Sequence, residues 1–142
     1  MTTGLREARL GRLFVGRLPT DSDLVEGIEQ FCAEQGIAAA WVTAVGAVRH
    51  LEYAYFDQVA RHYIELRSDT HHEMAGFVGN VSPRDGHPML HAHASFADEL
   101  GSTVTGHLRA GTTVWVGEVQ VQELADISLL REHDERTNLA LW

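Results

Sequence analysis

The chain has 142 residues, 44% of them apolar and 22% charged, which fits one globular domain large enough to bury a core. Eleven Lys and Arg against twenty Asp and Glu leave a formal charge of -9, so there is no general basic excess of the kind that holds duplex DNA by neutralising phosphates. No apolar run reaches the ~20 residues of a membrane span. The start, Met1-Thr2-Thr3-Gly4-Leu5-Arg6-Glu7, lacks the charged-then-apolar pattern of a signal peptide. The single cysteine, Cys32, has no internal partner, which agrees with a reducing compartment. A cytoplasmic protein is expected.

In chain order, residues 10–18 read as a first strand closed by Pro19, with Arg6, Arg9, Arg12 and Arg17 as solvated charges. Thr20-Asp21-Ser22-Asp23 offers helix N-caps. Leu24, Val25, Ile28, Phe31 and Cys32 then follow at helical spacing, and Gly36 ends the pattern. Ala38 to Val48 reads as a buried strand, with Gly46 marking a bend or a close backbone contact. Leu51–Phe56 and His62–Leu66 alternate as two further strands, and Glu73–Val81 forms another. Ser82-Pro83-Arg84-Asp85-Gly86 is a strong turn signal. After the next strand come a loop at 98–102 and strands at 103–108 and 112–123 around Ala110-Gly111. In the tail, Leu129 and Leu130 extend the sheet and 131–137 is exposed. Trp41 and Trp115 are expected in the core, His71 and His72 in an exposed loop. The class is α+β, one domain over 1–142 with its core at about 10–124. It has one N-terminal helix and a mostly antiparallel sheet, because the connections are too short for repeated crossover helices.

The chemistry concentrates in Met89-Leu90-His91-Ala92-His93-Ala94-Ser95 and Gly106-His107-Leu108. Side chains alternate along a strand, so His91, His93 and Ser95 face one way and Leu90, Ala92, Ala94 and Phe96 the other. Two imidazoles on one face can converge on an ion, and His107 on a neighbouring strand can supply a third. Three neutral imidazoles leave the fourth position of a zinc ion open, the arrangement that lowers the pKa of bound water and polarises carbonyl or phosphoryl oxygens. Hydrolysis would also need an acid or base. Glu118 is the candidate, with the alternative that it orients a ligand histidine through a hydrogen bond. His87, Asn80 and Ser95 are candidate pocket residues. His91, His93, Glu99 and Gly106 also approach the spacing of small cupin barrels, but the second motif of that fold is missing.

The string Gly79-Asn80-Val81-Ser82, Asp85-Gly86, Pro88, His91-Ala92-His93, then Gly106-His107-Leu108 and Glu118, resembles the plants-and-prokaryotes-conserved (PPC) domain over roughly residues 12–124. The resemblance implies a compact α+β domain that assembles as a homotrimer. It also implies a metal, zinc being the expectation, on His91, His93 and His107, as in some stand-alone prokaryotic members. The DNA-binding label of the family belongs with an Arg-Gly-Arg-Pro minor-groove reader in the plant proteins, and this sequence has none. The function expected is metal-dependent binding of a small anionic or carbonyl ligand, with hydrolysis as an extension. A nucleic-acid-binding regulator and a purely structural assembly module are the alternatives.

Overall fold

A computed structural model describes residues 4–142. Strand β1 (Arg9–Leu18) leads into helix α1 (Leu24–Glu34), followed by β2 (Ala40–Asp57), β3 (His62–Ser68), β4 (His72–Arg84), β5 (His87–Ala97), β6 (Thr103–Leu108) and β7 (Thr113–Ala125). A short hairpin of β8 (Glu132–Asp134) and β9 (Leu139–Leu141) ends the chain. The seven-stranded antiparallel sheet runs β1-β7-β2-β4-β5-β6, with β3 on β2. β6 also pairs back onto β2 through Tyr53–Leu108 and Ala54–His107, so the far half of the sheet curls into a closed ring.

Helix α1 covers one face of this sheet. Its N-cap is Asp23, whose Oδ1 accepts from the amides of Val25 and Glu26 at 2.8 and 2.9 Å. Leu24, Val25, Ile28 and Cys32 form its buried stripe and pack with Val42, Val48, Leu51, Val81, Phe96, Val114 and Val121. Burial holds the Cys32 thiol protonated, pushing its pKa up to about 11, with Glu29 adding to the effect. No helix among the described residues is long and apolar enough to cross a membrane.

Five expectations are corrected. Residues 38–56 are not two strands: β2 is continuous, and its register shifts beside Gly46, where the backbone takes φ +148° and passes close to Val116. The strand ending at Val81 instead continues to Arg84, and the turn is only Asp85-Gly86, both at positive φ, a two-residue hairpin of the primed kind. Trp41 and Trp115 lie half-exposed on the outer face rather than in the core; the Arg49 guanidinium covers the Trp115 ring at 4.0 Å. His72 is buried at the start of β4, its Nδ1 within 2.9 Å of the Thr70 carbonyl, while His71 is exposed. The tail also departs from its reading. Leu129 and Leu130 extend no strand, and Arg131 is buried at 7% exposure where an exposed segment was expected.

Candidate metal centre

The register of two strand pairs assembles the histidines. His93 stands directly opposite His107 across β5 and β6, and His91 lies two residues from His93 on the same face of β5. Behind them Ala92, Ala94 and Phe96 point into the core, as alternation requires. One ring nitrogen from each of His91, His93 and His107 lies within 4.8 Å of the other two. The Nε2 atoms of His91 and His93 are 3.4 Å apart. That is long for a hydrogen bond. It matches the edge of about 3.3 Å expected between two nitrogens bound tetrahedrally at Zn–N bonds of about 2.0–2.1 Å.

The electrostatics favour the ligand form of the rings. Burial, with Arg131 and His93 as further causes, lowers the pKa of His91 to about 4. Burial, then Arg109 and His91, lowers that of His107 to about 3. Both rings are therefore neutral at pH 7, with lone pairs available for a cation. The Nδ1 of His107 is buried with no protein partner among the described residues. The donor set, its spacing and the neutral rings of His91 and His107 fit a divalent ion with a preference for nitrogen ligands.

The glycines beside these histidines hold the strands close. A Cβ on Gly106 would lie 2.8 Å from the Ala54 carbonyl oxygen and 3.0 Å from Tyr53, so glycine lets β2 seal against β6 beside His107. A Cβ on Gly79 would meet Ala92 at 2.9 Å and the His91 carbonyl at 3.0 Å. Tyr63 on β3 packs on the outer side of the His107 ring at 5.0 Å between centroids, and the Arg109 guanidinium sits 4.1 Å over Tyr63 while pairing with Glu65 at 2.7 Å.

The other candidates divide. Asn80 is opposite His91 in the β4–β5 register, and its Oδ1 accepts from Arg131 Nη2 at 2.6 Å. Ser95 accepts from Thr105 Oγ1 at 3.0 Å, one step along β5 from the cluster, and does not line the cleft around the histidines. His87 is exposed at the hairpin turn and is not in the cleft wall either. Glu118 is exposed on β7, opposite Arg17 and Val45, and lines a different hollow with Val15 and Thr43. Within one chain it meets no histidine ligand, so it is placed neither as the acid or base nor as the orienting partner expected of it. Arg131 is the residue that sequence reading missed: no spacing rule connects a tail arginine to a strand 40 residues earlier.

A sequence profile for the Plants and Prokaryotes Conserved (PCC) domain matches residues 5–125. The chain belongs to this family. As a PPC domain it is similar throughout to a metal-containing protein of Archaeoglobus fulgidus, with 36% identity, a TM-score of 0.94 and 99% of each chain covered. A PPC protein of Pyrococcus horikoshii is 33% identical, with a TM-score of 0.92, over 100% of this chain and 96% of that one. A Bacteroides thetaiotaomicron structure described as a candidate DNA-binding protein shares the fold at 20% identity and a TM-score of 0.84, over 94% of this chain and 95% of that one. The bifunctional protein GlmU of a Synechococcus strain is 28% identical over 128 residues, 89% of this chain but only 19% of the length of that relative.

Proposed function

We propose that this PPC domain binds a divalent metal, zinc by its ligand chemistry, through His91, His93 and His107, and uses the open coordination position to bind a small ligand. The observation that carries the reading is the 3.4 Å separation of two Nε2 atoms within a three-nitrogen cluster in which His91 and His107 are held neutral by burial. When bound, the ion would supply Lewis acidity toward a ligand oxygen. The chain supplies a cleft walled by Tyr63 and Arg131, and the face of β5 that aims the imidazoles into it. The metal-containing relative supports the reading at the level of its name. Glu118 lies outside the cleft, so binding, rather than hydrolysis with Glu118 as base, is the activity proposed. A DNA-binding role finds support only in the names of distant structures, against a net charge of -9. The family resemblance further supports a homotrimer.

Elemental analysis of untagged protein tests the metal. About one zinc per chain is expected, falling to near zero in His93→Ala. Full metal content in that variant, or none in the parent protein after zinc loading, overturns the assignment.

A further inference from the structure

Arg131 is 7% exposed, yet no carboxylate lies within 4.0 Å of it among the described residues. A buried charge is costly unless paired or fully hydrogen-bonded. Two of its donors are used: Nη2 donates to Asn80 Oδ1 at 2.6 Å and Nη1 to the Ala140 carbonyl at 3.1 Å. Its Nε–H is buried with no acceptor among the described residues. A guanidinium has five N–H donors in a fixed fork, so one N–H on each Nη and the Nε–H are unspent. The side chain lines the cleft that holds the three histidines.

The cleft wall is formally balanced where the chain as a whole is acidic: Arg84, Arg109 and Arg131 stand with Glu29, Asp85 and Glu132. Arg84 lines the same cleft and pairs only loosely with exposed Asp85, at 3.7 Å. Among the other acids of the cleft wall, Glu29 spends Oε1 on the Leu90 amide at 2.8 Å, and Glu132 is exposed. The charge of Arg109, by contrast, is already paired by a two-pronged contact with Glu65. Arg131 is therefore the held, uncompensated guanidinium of the cleft. Its backbone amide donates to the Pro83 carbonyl at 2.9 Å, and its guanidinium lies 5.9 Å from the centroid of Trp142, so the tail fixes its position.

We infer that Arg131 is an anion-binding residue of the histidine cleft, gripping the carboxylate or phosphate end of a small oxyanion whose other end faces His91, His93 and His107. The inference deepens the metal-dependent reading above by naming the ligand class, but the grip itself belongs to this chain and needs no ion. An arginine that served only to fasten the tail would have no reason to keep a buried N–H free of acceptors, whereas the planar fork matches an incoming oxyanion edge-on.

Calorimetric titration of the chelator-treated protein with pyruvate, inorganic phosphate and the neutral amide of pyruvate tests the grip. One of the two anions is expected to bind at least tenfold more tightly than the amide, and the anion preferred identifies carboxylate or phosphate as the natural end group. Arg131→Gln should weaken that anion at least tenfold. Because this substitution can also loosen the tail hairpin, the 15N-edited signal of the Arg131 Nε–H in the unmutated protein supplies a second readout. It should shift when the anion is added. Equal binding of anion and amide, or a stationary Nε–H signal, overturns the inference. A protein that takes up zinc but shows no anion response loses this inference alone; one that binds anion through Arg131 but takes up no zinc loses only the metal reading.

Discussion

At the residue scale, the motif that revealed the family turns out to be mostly about clearance. Gly79 and Gly106 carry no chemistry; each removes a Cβ that would collide with the backbone next to a histidine. Asn80 holds Arg131, and Asp85-Gly86 closes the hairpin that carries the His91 strand. The histidines and their shared face could be read from alternation alone, because a period of two in β5 is a local property. The partner of Asn80 could not, because burial of a charged tail residue depends on contacts far away in sequence. Gly106→Ala tests the clearance argument. The added methyl group should push β2 from β6, destabilise the fold by about 2 kcal/mol, as overpacking commonly does, and displace His107. Zinc affinity, followed by competition with a chromophoric chelator, should fall at least tenfold; unchanged affinity would mean that His107 does not depend on the β2–β6 seam.

At the element scale, strands with clean alternation and the amphipathic helix were legible, and elements held by tertiary contacts were not. β2 crosses a glycine bend and changes partners from β4 and β7 to β3 and β6 along its length, so its sequence shows no single pattern. The strands of the closing hairpin have three residues each, too few for a period, and are fixed by Arg131 and by Asp134 capping the turn at Thr137. The helix start shows what a local signal can and cannot convey. Asp23 was one of four N-cap candidates, and the structure adds that its second carboxylate oxygen accepts from the Gly111 amide, tying α1 to the β6–β7 turn. Asp23→Ala should therefore cost about 1–2 kcal/mol, the upper part of the N-cap range, in urea denaturation. Asp23→Asn, which keeps an acceptor for the cap but turns a donor toward the Gly111 amide, should recover only part of the loss. An alanine variant as stable as the parent would show that neither contact matters.

At the scale of the whole molecule, the sheet face opposite α1 is the unresolved part of the energetics. Directly paired residues share a face, so Val15, Gln120, Thr43, Val78, His93 and His107 form one row across five strand junctions. Val15, Val45 and Val78 are 75, 56 and 56% exposed, and Leu13 and Trp41 flank them. A contiguous apolar surface on a sheet is a self-association surface unless something covers it. The homotrimer proposed above would use copies of this chain to cover it, in closed symmetry that leaves no edge for further growth. Light scattering should give about three times the chain mass of 15.7 kDa. Val15→Glu with Val45→Glu places two charges on this same face, on β1 and β2 and several strands from the histidines in the row, and should return the protein to the mass of one chain. Because the three imidazoles belong to a single chain, zinc per chain should not change. Bringing together chains of charge -9 is opposed by repulsion that salt screens, so moderate salt should strengthen the assembly. A parent protein with the mass of one chain at every salt concentration would remove self-association as the explanation of the exposed valines.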